Sequence, residues 1–193
     1  MIDLDPQSSL TISLGLTPAS LPHTVYDLLR DDDASPTPDA VIAKTGIENL
    51  DLIPSNIDLA SAETEFVGQL NREGALRGAL AAVKGYDFIL IDCPPSLGLL
   101  TTNALTAATD VIIPISADYL AMRGASLLMK TIGRIQKKVN PALAVRGILI
   151  TMHDARTLHA KEVLEEIRSV FPDQVFKAVI KQSVRAKEAP VRG

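Results

Sequence analysis

The sequence predicts an α/β fold, a doubly wound and mostly parallel sheet flanked by helices. Three observations carry this. Short apolar runs alternate with longer helical patterns over most of the 193 residues. Three of the runs, FILID (88–92), VIIPI (111–115) and GILIT (147–151), are apolar on both faces, as strands covered on both sides are. Apolar residues make up 47% of a chain with no Trp and few other aromatics, which is enough for a sizeable aliphatic core.

The first strand is expected at residues 2–5. An acidic, Pro-rich loop, DDDASPTPDA (31–40), follows the first helical patterns. Residues 50–54 form the next strand. Between 61 and 83, Phe66, Leu70, Leu76, Leu80 and Val83 fall close to the 3.6-residue period, which predicts one long helix. Strands at 88–92 and 111–115 flank a helix starting near 96–102. A further strand covers 145–151. Leu158, Val163, Leu164, Ile167 and Val170 mark a helix over 156–171, which Pro172 stops. The last strand is 175–180. There is no internal repeat and no low-complexity tract.

In such folds ligands bind outside the carboxyl ends of the strands. Asp3 and Asp5 end the first strand, and Asp92 ends FILID. Thr151 leads into MHDART, and Lys181 and Gln182 follow the last strand. One Asp at a strand end serves equally as a turn or helix cap. Two strands delivering Asp together point to a site that holds a metal ion and orients water.

Other features exclude more than they assign. No run of about 18 or more apolar residues suggests a membrane span, and no secretory leader pattern is expected. The lone Cys93 cannot form an internal disulfide, which fits a reducing cytoplasm, and it reads as a small core residue. His23, His153 and His159 are too scattered for a metal site. The formal charge of −4 excludes a chain that is basic as a whole. Basic residues are nonetheless concentrated in 121–139, with five and no acid, and in 177–193. Each run reads as either a solvated helix face or a local patch for phosphates.

Taken together, IDLDPQ, YDFILIDCPPSLGLLTTNAL, ILITMHDART and VRAKEAP resemble, in order and over essentially the whole chain, the ParA/Soj family of partition ATPases. The resemblance implies a P-loop NTPase-like fold that uses ATP and Mg²⁺. It also implies an ATP-dependent homodimer, a ParB-type partner protein and non-specific DNA binding in a cytoplasmic, nucleoid-associated protein. Asp92 resembles the aspartate that holds the Mg²⁺ of ATP, usually through water. Asp3 and Asp5 resemble a catalytic pair, Asp5 being the one that positions the attacking water. IKQSV (180–184) resembles the segment around the adenine, which makes Lys181 and Gln182 nucleotide-binding candidates. The family usually has Pro-Arg-Asn where this chain has Lys181-Gln182-Ser183. VRAKEAP resembles a DNA-contacting segment, with Arg185 and Lys187 as its basic candidates.

The family's phosphate grip, a Gly-rich loop of the form KGGxGKT, is absent from these residues. The expectation is a single ParA-like domain over 1–193, incomplete at both ends. It would lack the P-loop strand and first helix, and by itself would not bind ATP tightly. Two alternatives stand: a non-catalytic scaffold relative without nucleotide, and a MinD-like cell-division ATPase. CPPSLGLLT and MHDART favour the partition side. An iron–sulfur relative is set aside because one cysteine cannot build a cluster.

Overall fold

The computed structural model describes residues 1–30, 34–154 and 156–183. The chain divides into two compact units, Met1–Ala108 and a second that begins at Thr109.

The first unit runs β1 (Ile2–Asp3), α1 (Ser9–Ser13), α2 (Val25–Arg30), α3 (Pro38–Val41), β2 (Ala43–Lys44), β3 (Asp51–Leu52), α4 (Ala62–Glu65), α5 (Ala75–Leu80), β4 (Ile91–Asp92) and α6 (Leu99–Ala107). Strand β1 is buried on both faces, as parallel strands between helices are. It pairs in parallel with β4, Ile2 opposite Ile91 and Asp3 opposite Asp92. On its other side Ile2 bridges Ile53 in parallel. Strands β2 and β3 form a small antiparallel pair that sequence reading did not anticipate. Ile2, Leu4, Leu29, Leu59, Phe66 and Leu76 centre the core. Helix α2 is fixed to it at both backbone and side chain. The Val25 N–H donates to the Pro54 carbonyl at 2.8 Å, the Asp27 carboxylate accepts the Thr24 N–H at 2.8 Å, and the Tyr26 ring stacks on Phe66.

Two expectations fail here. The long helix over 61–83 is broken into α4, short 3-10 turns and α5, and Leu70 is 94% exposed. Gly68 and Gly74 weaken the helix, and Asn71 adopts a left-handed φ of 58°, accepting the Gly74 N–H to close a turn. In FILID only Ile91 and Asp92 are in a ladder, and Phe88 and Leu90 are exposed.

The second unit is β5 (Asp110–Ser116), α7 (Tyr119–Lys138), β6 (Ala144–His153), α8 (Leu158–Val170) and β7 (Val175–Lys181). Its sheet has the order β5-β6-β7 with both pairings parallel. Both steps run in the same direction, so right-handed crossovers place α7 and α8 on one face. Ile113 and Ile115 are buried and Ile112 is 54% exposed, so VIIPI alternates rather than being covered on both sides. Pro114 is tolerated because β5 is the edge of this sheet. Gly147 is required in β6: its φ is +149°, and a Cβ there would lie 2.7 Å from the Gln174 carbonyl oxygen. Asp118 caps α7 by accepting the Ala121 N–H at 2.7 Å. Among the described residues no helix is long and apolar enough to cross a membrane.

Candidate functional site

The parallel pairing of β1 with β4 brings three carboxylates together. Register sets Asp3 opposite Asp92, and the Leu4 N–H donates to the Asp92 carbonyl at 2.8 Å, so the chain leaves β1 beside the end of β4. Asp5 follows two residues later in the same exit.

The three differ in what they can do. Asp3 is fully buried. Its Oδ2 accepts the Thr11 N–H at 2.8 Å and the Thr11 hydroxyl at 2.7 Å, and its Oδ1 accepts the Asp5 N–H at 3.2 Å. The Thr11 Oγ1 in turn accepts the Ser55 N–H at 3.0 Å, and the Ser55 hydroxyl donates to the Asp5 carbonyl at 2.8 Å. Asp3, expected beside Asp5 as a catalytic group, therefore has its lone pairs engaged inside the fold. These bonds tie the start of the Asp5–Ser8 turn to Thr11. Asp5 is half-buried. Its Oδ1 accepts the Gln7 N–H at 2.9 Å, an Asx turn, and its Oδ2 has no hydrogen-bond partner among the described residues.

Asp92 is exposed at the rim, yet partial burial of its carboxyl, followed by the charges of Asp3 and Asp5, holds its pKa above the ordinary carboxylate value. Among the described residues no cation offsets this crowding, so a bound cation would relieve it. Among the described residues no three of His, Cys, Asp and Glu gather closely enough to hold a metal alone. This donor set suits Mg²⁺, which takes one or two carboxylates and completes its shell with water and phosphate. Cys93, expected in the core, is exposed as a residue. Local burial of its sulfur, then Asp92, push its thiol up to about 11, so it stays protonated at neutral pH. A small apolar cavity of this unit, about 20 Å³, is lined by Met1, Ile53, Leu80 and Phe88 among others, and by none of these three carboxylates.

Sequence reasoning missed Thr11, Ser55 and Asn103. Ser55 follows the third strand's end and was open to the same rule that found Asp92. Thr11 carried no signal, because its partner is set by a tertiary turn. Asn103 is buried; its Oδ1 accepts the Leu76 N–H at 3.1 Å and its Nδ2 donates to the Arg72 and Leu99 carbonyls, locking α5 to α6. Glu63 accepts the Leu99 N–H at 3.1 Å and so caps α6, which follows the loop leaving Asp92.

In the second unit Lys181 lies opposite His153, and the Gln182 N–H donates to the His153 carbonyl at 3.2 Å. Lys181 and Gln182 are both exposed. Asp154 is committed to a turn. It accepts the Arg156 N–H and its guanidinium in a fork, both guanidinium bonds at 2.8 Å, and this holds its pKa at about 2. Arg185 and Lys187 lie outside the described residues.

Comparison with known proteins places this geometry. The AAA domain family matches residues 1–145. The sporulation initiation inhibitor protein Soj of Bacillus subtilis is 48% identical over all of this chain, which spans 76% of that protein. The chromosome-partitioning ATPase Soj of Treponema pallidum is 44% identical, with all of this chain and 74% of that protein covered. Among solved structures, cobyrinic acid a,c-diamide synthase from Mycobacterium smegmatis with bound ADP and magnesium superposes with a TM-score of 0.87. It is 40% identical, covering 98% of this chain and 76% of that one. With a family match over most of its length and partition ATPases as its relatives, the chain belongs to the ParA/Soj family of the AAA-type P-loop ATPases.

Proposed function

We infer that the protein is an ATP-hydrolysing partition ATPase and that the 193 residues belong to a single ATPase domain. The observation that carries this is the Asp3–Asp5–Asp92 rim, where a crowded carboxylate waits for a cation. Asp92 would hold Mg²⁺ beside the phosphates of ATP, through water. The metal supplies charge neutralisation for phosphoryl transfer when it is bound. Asp5, with one oxygen pinned by Gln7 and the other without a hydrogen-bond partner among the described residues, orients the attacking water. Asp3, Thr11 and Ser55 hold Asp5 in place, so that positioning is set before the substrate arrives. Lys181 and Gln182 border the base. Arg185 and Lys187 contact DNA non-specifically in an ATP-dependent homodimer at the nucleoid, and a ParB-type partner stimulates hydrolysis. The 193 residues alone do not hold ATP tightly, because their carboxylates face phosphate charge with no Gly-rich loop within these residues to offset it. The crystallised neighbour with ADP and magnesium supports the ligand class. The similarity to Soj proteins favours partition over a MinD-like role.

The test uses Asp92→Asn and Asp5→Asn in the whole protein. Asp92→Asn is expected to weaken Mg²⁺-dependent nucleotide binding. Asp5→Asn is expected to keep binding and lose about 100-fold or more of ATP turnover. Undiminished turnover in Asp5→Asn would remove Asp5 from the reaction.

A further inference from the structure

Helix α7 carries Arg123, Lys130, Arg134, Lys137 and Lys138 and no acidic residue between Tyr119 and Lys138. Its inner face, Met122, Ala125, Ile132 and Ile135, is buried. All five cations are exposed. Arg123, Lys130, Arg134 and Lys137 are spaced by seven, four and three residues, so they form one row down the outer face. At about 1.5 Å per residue the row is roughly 21 Å long. Among the described residues, ion pairs join Lys44 to Asp51, Arg72 to Glu73, Arg146 to Asp110 and Arg156 to Asp154, and none involves α7.

A solvated helix face ordinarily mixes signs, since Glu–Lys pairs one turn apart add support and like pairs oppose it. Here Lys130 with Arg134, and Arg134 with Lys137 and Lys138, are like pairs on a chain whose net charge is −4. Lys137 and Lys138 complement the helix carboxyl end, but Arg123, near the positive end, and mid-helix Lys130 and Arg134 have no such role. No ion pair among the described residues offsets the self-repulsion of the row. A linear polyanion compensates it. Outside the buried face α7 exposes only Tyr119 and Leu127 among its described large apolar side chains, too little apolar surface to insert into a membrane. In duplex DNA each strand presents a phosphate about every 3.4 Å along the axis, so a row of this length spans about six base-pair steps and its four cations can each meet a phosphate of the duplex.

We propose that the Arg123–Lys130–Arg134–Lys137 row of α7 is a phosphate-tracking surface for duplex DNA. It rests on the partition reading for the identity of the polyanion, and it is a surface separate in sequence from Arg185 and Lys187.

The experiment measures binding of the whole protein with Mg-ATP to a labelled duplex of arbitrary sequence, from about 50 to 200 mM salt. The double variant Lys130→Gln/Arg134→Gln should lower the log–log salt slope by about 1.8, about 0.9 per lost phosphate contact. It should melt at or slightly above the parent temperature, because a repulsion is removed. An unchanged slope overturns the proposal. If the parent binds DNA and only Arg185→Gln/Lys187→Gln lowers the slope, the row fails while the partition reading stands. If the parent hydrolyses ATP but binds no duplex even at low salt, the DNA part of that reading fails with it. If the α7 variant instead abolishes self-association with DNA binding intact, the row faces the exposed Glu162, Glu165 and Glu166 of α8 in a second copy, and the proposal is overturned.

Discussion

Asp3 and Asp5 are two residues apart and are asked to do different things. Asp3→Ala removes the acceptor for two N–H groups and one hydroxyl in a fully buried place. Donors left unsatisfied there cost about 1–3 kcal/mol each, so a loss of about 3 kcal/mol or more is expected in urea denaturation. Asp5→Ala releases one N–H at a half-buried turn and should cost under about 1 kcal/mol. Equal losses for the two variants would contradict the division of roles. Asp154 gives a second residue-scale expectation. Its folded pKa of about 2, set first by the Arg156 hydrogen bond, lies below an ordinary Asp value of about 3.9. The depressed value means that the pair's contribution is present above about pH 4 and is lost as pH falls through about 2. Carboxyl NMR titration should show this midpoint near 2, and Arg156→Gln should return it toward about 3.9. A midpoint that stays low in the variant would assign the shift to the turn backbone alone.

Elements were readable where a local rule governs them and unreadable where a tertiary contact does. The strand ends at Asp3 and Asp92 were visible because a strand in a parallel sheet delivers its last side chain to a rim. The helix over 156–171 held as α8 because its period and Pro172 agree. The 61–83 pattern had the right period but also Gly68, Asn71 and Gly74, and those residues favour turns over the helix the apolar spacing suggests. The Thr11–Ser55 network joins residues up to 50 apart in sequence, a distance at which no periodicity speaks. The start of α6 shows the same dependence on a distant group. A Cβ on Gly98 would stand 1.7 Å from the Glu63 Oε1 that caps α6, although the φ of −94° suits any residue. Gly98→Ala must therefore displace Glu63 and lose that cap, at about 0.5–2 kcal/mol. In a double-mutant cycle, Gly98→Ala made on a Glu63→Ala background should cost almost nothing further. Additive losses would show that the glycine serves some other purpose.

At the scale of the whole molecule the apolar surface is the telling quantity. The continuous apolar run FILID was read as a strand covered on both faces, yet Phe88 is 84% exposed, with Ile89 and Leu90 exposed beside it. The run does have strand chemistry. What it lacks is a cover, because β4 pairs with β1 on one side and with no described strand on the other. Open strand edges next to exposed aromatic and aliphatic side chains template pairing with other chains. The 193-residue chain is therefore expected to bind a hydrophobic dye such as ANS in its folded state and to self-associate as its concentration rises. Phe88→Lys and Leu90→Lys place charges on that edge. Both should reduce dye binding and self-association, and both should leave stability within about 0.5 kcal/mol, since neither side chain is part of the core. Sedimentation at several concentrations, with dye fluorescence on the same samples, reads both effects. A parent chain that stays monomeric and dark to the dye would mean that this edge is covered in solution, and the lysine variants would then destabilise the fold instead of freeing it.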